Sequence, residues 1–152
     1  VVFIGVAGSE VYSLGFHVAF PCLAWVVRAS VQWMQQVADG ETLRLESLPD
    51  RPVLNHLHRW VYRMVQQGKD VRAAMERYLQ RFPDAVILCD EVGCGVVPID
   101  PVERQWREET GRLCCLLAQR AQRVERIFCG IAMTLKATEE DGQNEDHTGA
   151  TR

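Results

Sequence analysis

The chain has 152 residues, 47% of them apolar and 24% charged, the length and balance of one globular domain around one hydrophobic core. That composition excludes a collagen-like, coiled-coil or wholly disordered protein. The formal net charge of −3 belongs to the final segment: residues 137–152 hold five acids and one base, leaving 16 basic and 15 acidic residues in the body, so the body has no bulk attraction for nucleic acid.

In chain order, the β-branched and aromatic run Val1–Ile4 predicts a buried strand that empties into a glycine turn, Gly5 to Ser9. Leu23, Val26, Val27, Val31, Met34 and Val37 recur at steps of three and four. That spacing predicts an amphipathic helix over 23–37, with Asp39-Gly40 as its stop. Residues 41–52 carry two prolines and no clean period, the pattern of a connector. Val53, Leu54, Leu57, Val61, Met64 and Val65 predict a second helix closed by Gln67-Gly68. A third starts at Asp70, a natural N-cap, and runs to about Arg81.

After the break at Pro83-Asp84, the unalternating apolar run from Ala85 to Asp90 predicts a strand covered on both faces. Asp100-Pro101-Val102-Glu103 reads as a helix start, with apolar positions carrying the helix to about Gln122. Residues 124–131 and 133–136 predict a pair of edge strands, and after Lys136 the composition becomes too polar to fold alone. The expected organisation is one α/β domain over 1–136, with a mostly parallel sheet flanked by helices, and an acidic disordered tail over 137–152.

Six cysteines include no CxxC pair, and most sit in apolar runs, where free cysteine acts as a small core hydrophobe. A disulfide framework is therefore rejected in favour of a reducing cytoplasm. The four histidines do not combine with the cysteines at zinc spacing. The apolar stretch 11–27 is interrupted by Ser13, His17 and Pro21, so no membrane span is expected.

In an open parallel sheet, ligands sit beyond the carboxyl ends of the strands, and two loops occupy that place. Gly5, Gly8 and Ser9 follow the opening strand, where glycines let backbone N–H groups turn towards a phosphate. A full phosphate loop would read GxxxxGK[ST]. Counted from Gly5, the corresponding positions are Glu10, Val11 and Tyr12, so the second glycine, the lysine and the hydroxyl are missing. The second loop begins with Asp90-Glu91, where a magnesium-positioning or water-orienting acid belongs in phosphoryl-transfer proteins, followed by Gly93 and Gly95.

The string Asp90-Glu91-Val92-Gly93-Cys94-Gly95-Val96-Val97-Pro98, then Arg104, Trp106-Arg107-Glu108, Gly111-Arg112, Leu116-Leu117-Ala118, Cys129-Gly130-Ile131 and Leu135-Lys136 resembles the carboxyl-terminal half of the adenosylcobinamide kinase/adenosylcobinamide-phosphate guanylyltransferase family of cobalamin assembly. The pattern of that family is approximately (N/D)EVGxG(I/V)VP, an arginine, an aromatic–Arg pair, a helical glycine and xGIxxxxK. The resemblance spans residues 86–136. It implies a P-loop NTPase-like fold, magnesium with ATP or GTP, a cobinamide substrate and a homo-oligomer, commonly a trimer. It also implies phosphoryl or guanylyl transfer, with Asp90 and Glu91 as the catalytic candidates, Asp90 as the magnesium ligand, and Gly5, Gly8 and Ser9 at the phosphates.

The opening half departs from the family pattern GGxxSGKSxxAE, and the His-His-x-x-x-Arg stretch that carries the guanylyl group in the family is not found between Gln32 and Pro52. An inactive nucleotide-binding or scaffold relative is therefore the alternative. His56 and His58, two apart, would diverge by about 200° on a helix and could not share a metal; each reads as a surface or boundary histidine. Arg104 and Arg107 read either as phosphate or interface groups or as members of a solvated face with i, i+4 pairs. Gly111, unfavourable inside a helix by about 1 kcal/mol relative to alanine, reads as a site of close packing or of close ligand approach, with packing preferred, and the four tryptophans as core or interface.

Overall fold

The computed structural model describes residues 2–7 (as backbone), 36–45, 47–128 and 131–138. Its elements run β1 (Val2–Ala7), β2 (Val37–Asp39), β3 (Val53–Asn55), α1 (Leu57–Gln66), α2 (Val71–Arg81), β4 (Val86–Asp90), α3 (Pro101–Arg120), β5 (Arg123–Phe128) and β6 (Ile131–Lys136). The strands form one sheet in the order β2-β3-β4-β1-β5-β6. All pairings are parallel except β5 with β6. The α/β fold with a mostly parallel sheet and flanking helices is as the sequence implies.

The central strand β4 shows why its sequence does not alternate: Ile87, Leu88 and Cys89 are all buried, so both faces of the strand are covered, and Ile87 and Cys89 face the core formed with the described helices. Helix α1 turns Leu57, Trp60, Val61, Met64 and Val65 inward, and α2 turns Val71, Ala74, Met75, Tyr78 and Leu79 inward, each at helical spacing. These side chains join Leu54, Ile87, Leu113, Leu117 and Val124 in one core. Asp70 caps α2 by accepting the Ala73 N–H at 2.9 Å. Asp100 caps α3 by accepting from Val102 and Glu103, with Pro101 at the first helical position, as the sequence predicts.

Four expectations change. Val53 and Leu54 are strand, not helix: Val53–Asn55 pairs with both β2 and β4, and a strand of three residues is too short to show a period. The helix expected over 23–37 lies outside the described residues except for its end, where Val37 belongs to β2 and Gly40 closes a turn by donating to the Asn55 carbonyl. Helix α3 stops at Arg120, and Val124 lies in β5. Finally, β5 is interior rather than an edge: it pairs along its length with β1, and β6 alone forms that border.

Glu125, buried in β5, is matched by the Arg123 guanidinium at 2.7 and 2.8 Å. The described cysteines 89, 94, 114 and 115 are free thiols. No described helix is long and apolar enough to cross a membrane; the interrupted apolar stretch 11–27 and the acidic tail from 139 onward lie outside the described residues.

Candidate active site

Because β1 and β4 are neighbouring parallel strands in register Val6 to Asp90, the chain leaves both at the same end of the sheet. The two loops singled out in the sequence therefore start side by side. Gly5 itself is not in the first loop. It sits inside β1, opposite Cys89 on one side and Arg126 on the other, so the strand runs three residues past its expected end at Ile4 and Gly5 is a strand position rather than the expected loop position. Gly8 and Ser9 lie outside the described residues.

A cavity of about 350 Å³ opens where β4 ends, lined by Asp90, Glu91, Gly93, Arg107, Thr110 and Cys114 among others. The Asp90 carboxyl is about one-third exposed, and burial pushes its pKa up against the opposing influence of His56 and Arg59. Glu91 bends back to accept the Gly93 N–H at 2.7 Å, closing the turn that follows the strand. The Thr110 hydroxyl, fully buried on α3, has no hydrogen-bond partner among the described residues, a position that a ligand's polar atom would satisfy. The Cys114 thiol lies 3.8 Å from that of Cys89, and this contact together with burial pushes the Cys89 thiol up.

The two arginines hold the loop. Arg107 donates to the carbonyls of Gly93, Cys94 and Val96, and Arg104 donates to those of Pro98 and Ile99. Of the expected i, i+4 pairs, Glu108 and Arg112 meet at 2.6 Å, whereas Arg107 turns to the loop. Among the described residues nothing packs on Gly111: a Cβ there would meet none of them within 4 Å. Instead it lines the cavity.

Sequence reasoning missed the histidines. His56 precedes α1 with left-handed backbone, φ 51° and ψ 48°. The helical divergence expected of residues two apart therefore does not apply, and the two rings meet edge to face with centroids 5.9 Å apart. His56 Nδ1 lies 3.1 Å from the Asp39 carboxylate. His58 is buried against Asp90: its Nδ1 accepts the Asp90 N–H at 3.3 Å, and its carbonyl accepts the Trp106 indole N–H at 2.7 Å. Burial lowers its pKa to about 3, with the charges of His56 and Arg59 adding to the effect, so the ring is neutral. With Nδ1 accepting, the proton resides on Nε2, which faces the Asp90 carboxylate at 3.8 Å. Trp60 is core and Trp106 spans core and site.

An open, mostly parallel sheet with an acidic loop at a strand's carboxyl end is the doubly wound class of α/β fold, in which ligands sit beyond the carboxyl ends of the strands. The family model described as cobinamide kinase / cobinamide phosphate guanyltransferase matches residues 33–135, and the chain belongs to that family. It is 31% identical over 109 residues to the "Bifunctional adenosylcobalamin biosynthesis protein CobP" of Pseudomonas aeruginosa, an alignment covering 67% of this chain and 63% of that protein. The chain thus matches somewhat less than two thirds of that relative's length.

Proposed function

We propose that the chain works in cobalamin biosynthesis as a cobinamide kinase or cobinamide-phosphate guanylyltransferase, transferring a phosphoryl or guanylyl group from ATP or GTP. The observation that carries this reading is the placement of Asp90 at the carboxyl end of β4, level with Val6 of β1 and on the wall of the cavity. Family membership supplies the substrate classes.

Magnesium favours hard oxygen donors, and the partly exposed Asp90 carboxylate is such a donor. It would hold the ion, which with the nucleotide neutralises phosphate charge during transfer. His58 orients Asp90 by gripping its backbone N–H, and Arg107 fixes the following loop. Glu91, a catalytic candidate by resemblance, shapes the turn through Gly93. The Thr110 hydroxyl offers one hydrogen bond to a ligand inside the cavity. Gly8 and Ser9 remain the proposed phosphate contacts. A homo-oligomer is supported by the exposed apolar side chains of Phe128, Ile131, Met133 and Leu135 at the β6 border, and a reducing, cytoplasmic setting by the free thiols.

Calorimetric titration with magnesium-ATP and magnesium-GTP, followed by assay with adenosylcobinamide and its phosphate, tests the proposal. Binding with turnover supports it. Binding without turnover replaces it with the inactive-relative reading, and the absence of binding defeats both.

A further inference from the structure

We propose a second cation site, distinct from the Asp90 position, that takes a divalent first-row transition ion through Asp39, Glu41 and His56. These three residues offer ligand atoms all within 4.8 Å of one another. They come together because β2 and β3 run parallel in register Asp39 to Asn55, so the residue ending one strand faces the residue leaving the other.

The distances suit coordination. Nitrogen and oxygen ligands lie about 2.0–2.2 Å from such an ion, which places ligands at right angles roughly 3 Å apart. His56 Nδ1 and Asp39 Oδ1 are 3.1 Å apart. The imidazole is largely buried, with 14% of its side chain exposed against 32% for Asp39, and Glu41 is exposed and can swing in from the open side.

The protonation state of Nδ1 points the same way. It is bracketed by the Asn55 amide nitrogen at 3.2 Å and the Asp39 carboxylate at 3.1 Å. A proton on Nδ1 serves Asp39 alone, and a bare lone pair serves Asn55 alone. A cation would take the Nδ1 lone pair and the Asp39 carboxylate together.

The backbone fixes this arrangement before any ion arrives. His56 has the only left-handed non-glycine backbone among the described residues. Gly40 donates to the Asn55 carbonyl and accepts from Arg63, and the Glu41 N–H is held by Asp39. One imidazole with two carboxylates and no thiolate selects ions such as Mn²⁺, Co²⁺, Ni²⁺ or Zn²⁺ over magnesium and calcium, which take oxygen alone.

The test uses the full, metal-free chain without nucleotide, titrated with Mn²⁺ (free ion read by electron paramagnetic resonance) and with Co²⁺ (read by visible absorption). The expected result is one equivalent of Mn²⁺ bound, and a cobalt spectrum without thiolate-to-metal charge transfer. Asp39→Asn, which keeps an acceptor for the Glu41 N–H, and His56→Gly, which keeps the left-handed backbone, each weaken binding at least tenfold, whereas Asp90→Asn leaves it unchanged. The proposal is overturned if the wild-type chain binds no Mn²⁺, if both variants bind as the wild type does, if Asp90→Asn abolishes binding, or if the cobalt spectrum shows thiolate ligation that Cys89→Ser removes.

Discussion

His58 accepts the backbone N–H of Asp90 through Nδ1 at 3.3 Å while its Nε2 faces the carboxylate of the same residue. One neutral ring thus fixes both the path of the chain at the end of β4 and the setting of its acid. Its environment includes His56 and Arg59, which oppose a positive charge, and Asp39, which favours one, with burial dominant. The folded state therefore resists a proton that the unfolded chain accepts below about pH 6.5. Between that pH and about 3, the unfolded state binds more protons, so stability rises with pH and is lost on acidification, at up to about 1.4 kcal/mol per pH unit from this residue. Denaturant unfolding from pH 7 to 4, with a chelator present, should show this slope. His58→Asn supplies an acceptor without a titrating ring and should flatten it; an equal slope in the variant would remove His58 as its source.

Replacing Asp90 by asparagine separates a ligand-holding acid from a structural one. Burial already disfavours the ionised carboxyl, so an amide of the same shape leaves the melting temperature within a few degrees of the wild type. Magnesium-dependent nucleotide binding should fall on the order of a hundredfold, the scale of losing a principal electrostatic contact. Calorimetry with and without magnesium checks this, and a large drop in melting temperature with unaltered affinity would make Asp90 a structural residue.

Arg107 should act as a clamp on the loop after β4. Its guanidinium reaches three carbonyls spread over Gly93 to Val96, which no lysine can match with a single ammonium. Arg107→Lys is expected to leave the core intact while the Gly93 amide, whose N–H is held by Glu91, exchanges faster by roughly tenfold, equivalent to about 1.4 kcal/mol of lost local stability. Unchanged exchange in that loop would place the role of Arg107 elsewhere, at a ligand or a partner.

Helix α2, strand β4 and the start of α3 were legible because each carries its own local signal: a capping Asp70, an unbroken apolar run, and an Asp100-Pro101 entry. The position of the candidate site was legible where motif and topology coincide, at Asp90. It was illegible where a backbone angle decides. Nothing in Asn55-His56-Leu57-His58 announces that His56 leaves the strand with positive φ, and reading both histidines on one helix separated rings that in fact touch. Strand β3, at three residues, is defined by its neighbours rather than by a period of its own. Gly5 illustrates the same limit: a glycine in a parallel strand and a glycine in a turn look alike until the ladder to Cys89 and Arg126 is known.

The two glycines beside the site should respond to alanine with opposite signs. At Gly40, a Cβ would stand 2.3 Å from the carbonyl oxygen of His56 and 3.0 Å from Trp60 Cβ. The oxygen is backbone of the strand-to-helix turn, and Trp60 is buried, so neither can move aside without displacing the His56 turn. Gly40→Ala should therefore destabilise the chain by about 1–3 kcal/mol, the usual penalty of overpacking, and perturb His56 along with it. At Gly111 the same methyl meets nothing within 4 Å among the described residues and lies in the interior of α3, where alanine is preferred by roughly 0.8–1.0 kcal/mol. Gly111→Ala should raise stability by up to that amount. Because Gly111 also lines the cavity, the added methyl doubles as a probe: weaker nucleotide or cobinamide binding in a more stable protein would mean that the glycine is kept open for a ligand. Chemical denaturation of both variants with ligand titration of the second decides the matter, and destabilisation by Gly111→Ala would show that α3 packs more tightly there than the 4 Å clearance allows.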